Sequence, residues 1–284
     1  MAAASEPQKA SRLTKKKSKR RFSLVVLLFF TSIIALFGWF QLSTNPPSAE
    51  ELKHLRPNII KTYGHDPQAY TQGLLVHEGR FFESTGQYGK STLREVEIRS
   101  GKVLRKIKLD DSHFGEGLAY LDGKLYQLTW RAGKAFVYRL EDFELLKTHT
   151  YEGEGWGLTD FKGELVMSDG SNRLTFRDPD TFNKKRQIQV FQRGRKVGRL
   201  NELEAIDGLI WANIYTSKDI VLIHPRTGAV LKRFSFPRLP RKEEINGNED
   251  YLNGIAYDAQ GERLFITGKN FSKVYELELV EQQR

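Results

Sequence analysis

A three-residue phrase comes round five times in this chain: Gln72-Gly73-Leu74, Glu116-Gly117-Leu118, Trp156-Gly157-Leu158, Asn201-Glu202-Leu203 and Asn253-Gly254-Ile255. Its starts lie 44, 40, 45 and 52 residues apart. In four copies a glycine (Gly79, Gly123, Gly163, Gly208) stands six residues beyond the second position; in the fifth, Gly261 stands seven beyond. An apolar run follows each glycine: Phe81-Phe82, Leu125-Tyr126, Leu165-Val166, Ile210-Trp211 and Leu264-Phe265. Short alternating runs broken by turn glycines, at a period of roughly 40–50 residues, are how a propeller blade reads in sequence.

Four strands can be read in each of the first four units; in the first they are Gly73–His77, Arg80–Thr85, Ser91–Arg99 and Val103–Leu109. The fifth has only Ile255–Tyr257, Arg263–Thr267 and Lys273–Leu279. Asn58–Tyr63 precedes the first unit and belongs to none, so it is expected to supply the missing outer strand. That would close the ring and remove exposed sheet edges, an aggregation hazard. The polar stretch Pro237–Asp250 reads as a loop.

The net charge of +10 is misleading, because residues 1–21 hold eight basic residues against Glu6 alone. The basic block belongs to a tail, and no nucleic-acid partner is expected. Ser23–Leu42 carries no charge and is about one bilayer long as a helix. Basic residues before it place the N-terminus in the cytoplasm by the positive-inside rule. The expected fold is all-β, a five-bladed β-propeller preceded by one N-terminal transmembrane helix. Residues 1–22 form a basic cytoplasmic tail, 23–43 an uncleaved membrane anchor, 44–56 a linker and 57–284 the propeller. The propeller is then periplasmic in a bacterium, or luminal in a eukaryote. There is no cysteine, hence no disulfide or thiol chemistry.

The first slot of the phrase varies (Gln72, Glu116, Trp156, Asn201, Asn253) where the rest recurs. Equivalent positions in a propeller share one radius and height. These five side chains are therefore expected at one mouth of the central channel, where a few polar groups in an aromatic concavity make a ligand site. The six histidines show no metal-ligand spacing, and Ser84-Thr85 with Asp169 lacks a histidine placed as a triad partner.

In order along the chain stand YTQGL (Tyr70–Leu74), FESTG (Phe82–Gly86), FGEGL (Phe114–Leu118), WGL (Trp156–Leu158), LNELE (Leu200–Glu204), WAN (Trp211–Asn213), LNGIA (Leu252–Ala256) and TGK (Thr267–Lys269). Together, across roughly Asn58 to Leu279, they resemble the plant-type glutaminyl cyclases, also called glutaminyl-peptide cyclotransferases. That family is known as a five-bladed propeller, and its members cyclise N-terminal glutamine to pyroglutamate and release ammonia. The resemblance implies peptides or proteins beginning with glutamine as partners and no cofactor. A structural cation in the channel, held by Glu116 or Asn253, stays open. Where the family tends to carry an aromatic-proline pair after TGK, this chain has Asn270-Phe271-Ser272, which is also a glycosylation sequon.

The α-amine must lose a proton and the leaving ammonia gain one, so one carboxyl of raised pKa can shuttle both. Glu83, which follows Phe81-Phe82 in FESTG, is the expected shuttle, on the ground that burial against aromatics raises a carboxyl pKa. Lys269 is expected to stabilise the oxyanion. Gln72, Asn201 and Asn213 would hold the amide and amine; Phe82, Glu116, Trp130, Trp156, Glu202 and Asn253 complete the expected substrate-binding set. Two rival readings are a metal-dependent propeller lactonase and a non-catalytic peptide- or glycan-binding propeller.

Overall fold

The computed structural model describes residues 46–241 and 250–282. Five four-stranded antiparallel sheets form the five blades. From the inside outward, blade 1 holds Thr71–His77, Arg80–Thr85, Thr92–Glu97 and Val103–Lys108. Blade 2 holds Gly115–Leu121, Lys124–Thr129, Lys134–Arg139 and Leu145–Thr150. Blade 3 holds Leu158–Phe161, Glu164–Ser168, Arg173–Arg177 and Lys184–Gln189. Blade 4 holds Leu200–Ile206, Leu209–Ile214, Asp219–Ile223 and Val230–Ser235. Blade 5 takes Leu252–Asp258, Arg263–Gly268 and Lys273–Glu281 from late in the sequence, and Leu55–Gly64 from before blade 1. That closing strand runs antiparallel to its partner, from Leu55 opposite Glu281 to Gly64 opposite Lys273. It is the segment the sequence leaves over, extended at both ends.

Three parts of the chain differ from expectation or escape it. Residues 44–56, expected as linker, contain a one-turn helix, Ala49–Leu52, capped reciprocally by Ser48 and Glu51. A Ser-x-x-Glu capping box closes even so short a turn, and Leu52 seats in the core between blades 4 and 5. A small hairpin, Phe191–Gln192 with Arg195–Lys196, interrupts the passage from blade 3 to blade 4. The described part of Pro237–Asp250 has no strand. The tail and the expected anchor, 1–22 and 23–43, lie outside the described residues. Among the described residues no helix is long and apolar enough to cross a membrane.

The phrase itself explains the ring. Its second slot lies where neighbouring inner strands come closest: a Cβ on Gly117 would stand 2.4 Å from the Leu158 nitrogen, and one on Gly157 2.0 Å from the Asn201 oxygen. In the fourth copy Glu202 takes that slot and reaches across the channel. Its carboxyl accepts from Leu74 N–H of blade 1 (3.4 Å) and Ile255 N–H of blade 5 (2.9 Å). The first slot sits in a register shift between the first and second strands, flanked by Thr71/Gly73, Gly115/Leu118, Leu200/Leu203 and Leu252/Ile255. A bulge of this kind re-aims a side chain out of the ordinary alternation, here into the channel.

Between blades, apolar side chains fill five separate cores. On the outside, a cation of one outer strand ties down a carbonyl beyond its own blade. Arg105 donates to Leu140 O (2.6 Å), Lys147 to Asp180 O (2.6 Å), Arg186 to Pro225 O (3.0 Å) and Lys232 to Lys53 O (2.7 Å). These four struts recur in step with the blades.

Gly117→Ala should therefore destabilise the ring by about 1–3 kcal/mol or more, because backbone rather than a flexible side chain occupies the space. The shift of the urea unfolding midpoint measures it.

Candidate active site

At the end of the channel where the inner strands begin, the first-slot residues form a connected floor. Asn253 Nδ2 donates to Thr71 O (2.9 Å) and to Gln72 Oε1 (3.1 Å), and Gln72 Nε2 donates to Glu116 Oε1 (2.8 Å). Three blades thus deliver one chain of hydrogen bonds that ends on a buried carboxyl. Burial pushes the Glu116 carboxyl well above the usual glutamate range, with the Glu154 charge adding to it; Lys269 and the Gln72 bond work the other way.

Three buried amide atoms nearby have no hydrogen-bond partner: Asn201 Oδ1, Asn253 Oδ1 and Asn213 Nδ2. The orientation of two is fixed, since Asn253 donates to a backbone carbonyl and Asn213 Oδ1 accepts from Gly254 N–H (3.0 Å). The floor therefore offers an acceptor on Asn253 and a donor on Asn213, with the Asn201 amide beside them, groups of the kind that a primary amide can pair with.

Aromatic side chains wall this floor in a closed ring. Tyr70 meets Phe114 edge-on (6.0 Å), Phe114 meets Trp130 (5.5 Å), and Trp156 meets Tyr215 (5.4 Å). Two charged side chains join the pieces. One oxygen of Glu154 accepts from the indoles of both Trp130 (2.8 Å) and Trp156 (3.0 Å). Its other oxygen accepts from Arg131 (3.0 Å), whose guanidinium lies over Trp130. Burial would raise the Glu154 carboxyl, but the two indoles and Arg131 hold it below the usual range. On the opposite side, the buried ammonium of Lys269 stands 4.7 Å from the ring centres of both Tyr70 and Tyr215.

The structure places Gln72, Glu116, Trp130, Trp156, Asn201, Asn213, Asn253 and Lys269 around this one end of the channel. Glu202 lies on the channel side too, but both its oxygens hold backbone of other blades, a bracing role. Phe82 is not at the mouth. Strand alternation turns it into the core between blades 1 and 2, against Leu118, Leu125 and Phe143. Tyr70, Phe114, Glu154 and Tyr215 were not anticipated. The repeat carries a signal for all four. Tyr70, Phe114 and Glu154 each stand two residues before the variable slot, and Trp130, Tyr215 and Lys269 all occupy the position just past a second strand.

Among the described residues no group of three or more His, Asp or Glu side chains is placed to hold a metal ion.

Three likenesses accompany this geometry. The family model for Glutamine cyclotransferase matches residues 32–279. A glutaminyl-peptide cyclotransferase of Arabidopsis thaliana is 38% identical over 275 residues, 92% of this chain and 85% of the relative. The crystal structure of Myxococcus xanthus glutaminyl cyclase superposes with a TM-score of 0.76 at 39% identity, covering 81% of this chain and 98% of that one.

Glu83, the expected shuttle, lies behind the floor in a different environment. Its carboxylate accepts from Thr71 Oγ1 (2.7 Å), pairs with His65 Nε2 (2.9 Å) and has Arg94 at 3.8 Å. Burial alone would raise its pKa, but the His65 and Arg94 charges and the Thr71 bond outweigh it and hold the carboxyl below its usual range. The neighbouring aromatics do not supply the apolar pocket expected: Phe82, next in sequence, points to the other face. His65 bonds with its other nitrogen to Phe271 O (2.6 Å), so both ring nitrogens face acceptors. Burial opposes its charging; Glu83 and that carbonyl override it and raise the pKa. The pair pins the backbone just beyond Lys269. Its stabilisation is complete between about pH 4.3 and 6.5, the unfolded values. It is lost as pH falls through the depressed value of Glu83, and as pH rises through the raised value of His65. Glu83→Gln should therefore cost about 3–5 kcal/mol in that window, the penalty for halving a buried ion pair. Urea titrations of both proteins across pH check this, the gap narrowing on either side.

Proposed function

The chain belongs to the glutamine cyclotransferase family, and we propose that the aromatic-walled mouth around Glu116 is where its reaction runs. The activity is that of a glutaminyl-peptide cyclotransferase. The α-amine of an N-terminal glutamine attacks the side-chain amide carbon of the same residue, a carbon–nitrogen bond closes the five-membered ring, and ammonia leaves. The observation that carries the site is Glu116: a buried carboxyl of raised pKa, tied to Gln72, under a ring of aromatics and facing a lysine charge.

In this reading the floor amides Asn201, Asn253 and Asn213 clasp the glutamine carboxamide, and Trp130 and Trp156 confine its methylenes. Confinement folds the side chain back on the amine, and an oriented intramolecular attack needs little further ordering. A free α-amine titrates near ~7.7–8.0, so it arrives largely protonated at neutral pH. The amine becomes a nucleophile once that proton has gone to solvent; ionised Glu116 takes a second proton from it as the carbon–nitrogen bond forms, then delivers it to the departing nitrogen as the tetrahedral centre collapses. Lys269 places positive charge beside the oxygen that becomes negative in between. No metal is needed for these steps, so turnover should persist in a chelator.

We further propose that residues 23–43 anchor the chain with its N-terminus cytoplasmic, leaving the propeller periplasmic or luminal. What supports this reading is the uncharged run Ser23–Leu42, about one bilayer long as a helix, with eight basic residues before it.

Glu116→Gln should lower turnover of a Gln-initiated peptide about 10²–10⁴-fold in an ammonia-release assay, without lowering thermal stability. The acid limb of the pH–rate profile should lie above the ordinary glutamate value of ~4.3. Because Lys269 favours the ionised form and Glu154 opposes it, Lys269→Met should move the limb to higher pH and Glu154→Gln to lower pH.

A further inference from the structure

The passage from blade 3 to blade 4 carries the densest charge in the described chain. Between Lys184 and Arg199 stand seven cations and no acid. Lys185 and Arg186 are paired with Glu164. Arg193, Arg195, Lys196 and Arg199 are exposed, and none has a carboxylate within ion-pair distance among the described residues. The Arg199 guanidinium donates to the hydroxyl of Thr216 (2.7 Å).

These cations are held on a built element. Phe191–Gln192 pairs with Arg195–Lys196 around Arg193-Gly194, whose φ angles of 50° and 74° are both positive. That is the two-residue turn that matches hairpin twist. At its base Val197 N–H donates to Val190 O (3.0 Å), and both valines are buried between blades 3 and 4.

The root of the hairpin is part of the mouth. Arg199 N–H donates to Gly170 O (2.9 Å), and Tyr215 N–H donates to Arg199 O (2.8 Å). Tyr215 meets the Trp156 ring, and Gly170 lies so close beneath that ring that a Cβ there would be 2.6 Å from it. The cationic strip therefore starts at the wall of the site and runs outward. In the corresponding passage from blade 1 to blade 2, Asp110 and Asp111 are exposed and Asp111 is paired with Lys108 (2.5 Å), so no unopposed cations collect there. A substrate held by its first residue at the floor must send the rest of its chain out over this rim.

We propose that the hairpin is a docking strip for acidic substrate segments. Arg193, Arg195, Lys196 and Arg199 would receive carboxylates from about the third to sixth residue of a glutamine-initiated peptide, given ~3.3 Å per extended residue. The proposal rests on the cyclotransferase reading and adds a sequence preference to it. A hairpin serving an anionic membrane surface fits less well, because its root is built into the wall of the substrate site. Attraction of this kind between exposed charges acts mainly on encounter, and it fades with salt.

The test compares two peptides that begin with glutamine and differ only in carrying Glu or Ser at those positions. They are tried on the full chain and on the triple variant Arg193→Ser, Arg195→Ser, Lys196→Ser, which spares Arg199 and its backbone bonds. Expected is about a tenfold higher kcat/KM for the Glu peptide at low salt. The preference should shrink at high salt and disappear in the triple variant, whose turnover of a glutamine dipeptide stays at the parent level. Equal kcat/KM for the two peptides, or a preference that survives the triple variant, overturns the proposal. So does binding of phosphatidylserine vesicles that the triple variant loses while peptide preference is absent; that outcome assigns the hairpin to lipid. Fluorescence anisotropy of the same labelled peptides on Glu116→Gln protein reads the preference without turnover. If folded protein releases no ammonia from any peptide, the cyclotransferase reading fails, while the anisotropy ratio still decides the hairpin.

Discussion

Five inner strands share one narrow axis, and the distance of closest approach between them governs the rest of the molecule. A side chain at the second slot of the phrase would collide with the next blade's backbone, so glycine stands there in four blades. The exception uses the constraint differently: Glu202 fills the gap with a carboxyl that holds blades 1 and 5 by their amides. Because the second slot is fixed by contact, the first slot is left in a bulge, aimed at the axis and free to vary. Ring geometry and site chemistry are thus assigned to adjacent residues.

The channel also shows how little residue type says about a carboxyl. Glu116 and Glu202 are buried and Glu204 is half-buried, all without a charged partner in hydrogen-bond contact among the described residues, and all three are pushed up, Glu204 to about 8. Glu83 is buried as deeply, yet His65 and Arg94 pull it down. Glu154 is pulled down by two indoles and an arginine. Burial supplies the same push in each case, and the sign of the outcome is set by what faces the oxygens. A group that must exchange a proton during the reaction needs the first kind of surroundings, but a raised pKa alone assigns no role, since Glu202 and Glu204 share it while they brace backbone amides.

This difference marks the limit of what the sequence discloses. Blade number, the closing strand and the convergence of the variable slot all follow from period and alternation, which are properties of the chain's order. Glu83 was misplaced because its partner His65 lies on a segment outside any repeat, and no spacing rule brings the two together. Phe82 was misplaced through adjacency: next to Glu83 in sequence, it is opposite to it in a strand. Glu154 shares the repeat position of Tyr70 and Phe114, but its role depends on two tryptophans meeting one oxygen, which no spacing shows. The cationic hairpin was hidden by bookkeeping, since acids elsewhere in the propeller cancel its charge in any whole-chain sum.

The fifth blade is assembled from both ends of the propeller sequence, and this gives the ring a history as well as a shape. Blades 1 to 4 each come off the ribosome as contiguous hairpins and can pair as they emerge. Leu55–Gly64, with Ile59 and Ile60 outward, is made first and must wait for Lys273–Glu281, which is made last. Its pairing has the longest sequence separation in the fold, and such contacts form late. Until Lys273–Glu281 is made, Leu55–Gly64 has no strand to pair with and the circle of sheets cannot close. Completion is a single terminal event, and it creates the mouth at the same moment, because Asn253 and Lys269 arrive with the blade that closes the circle.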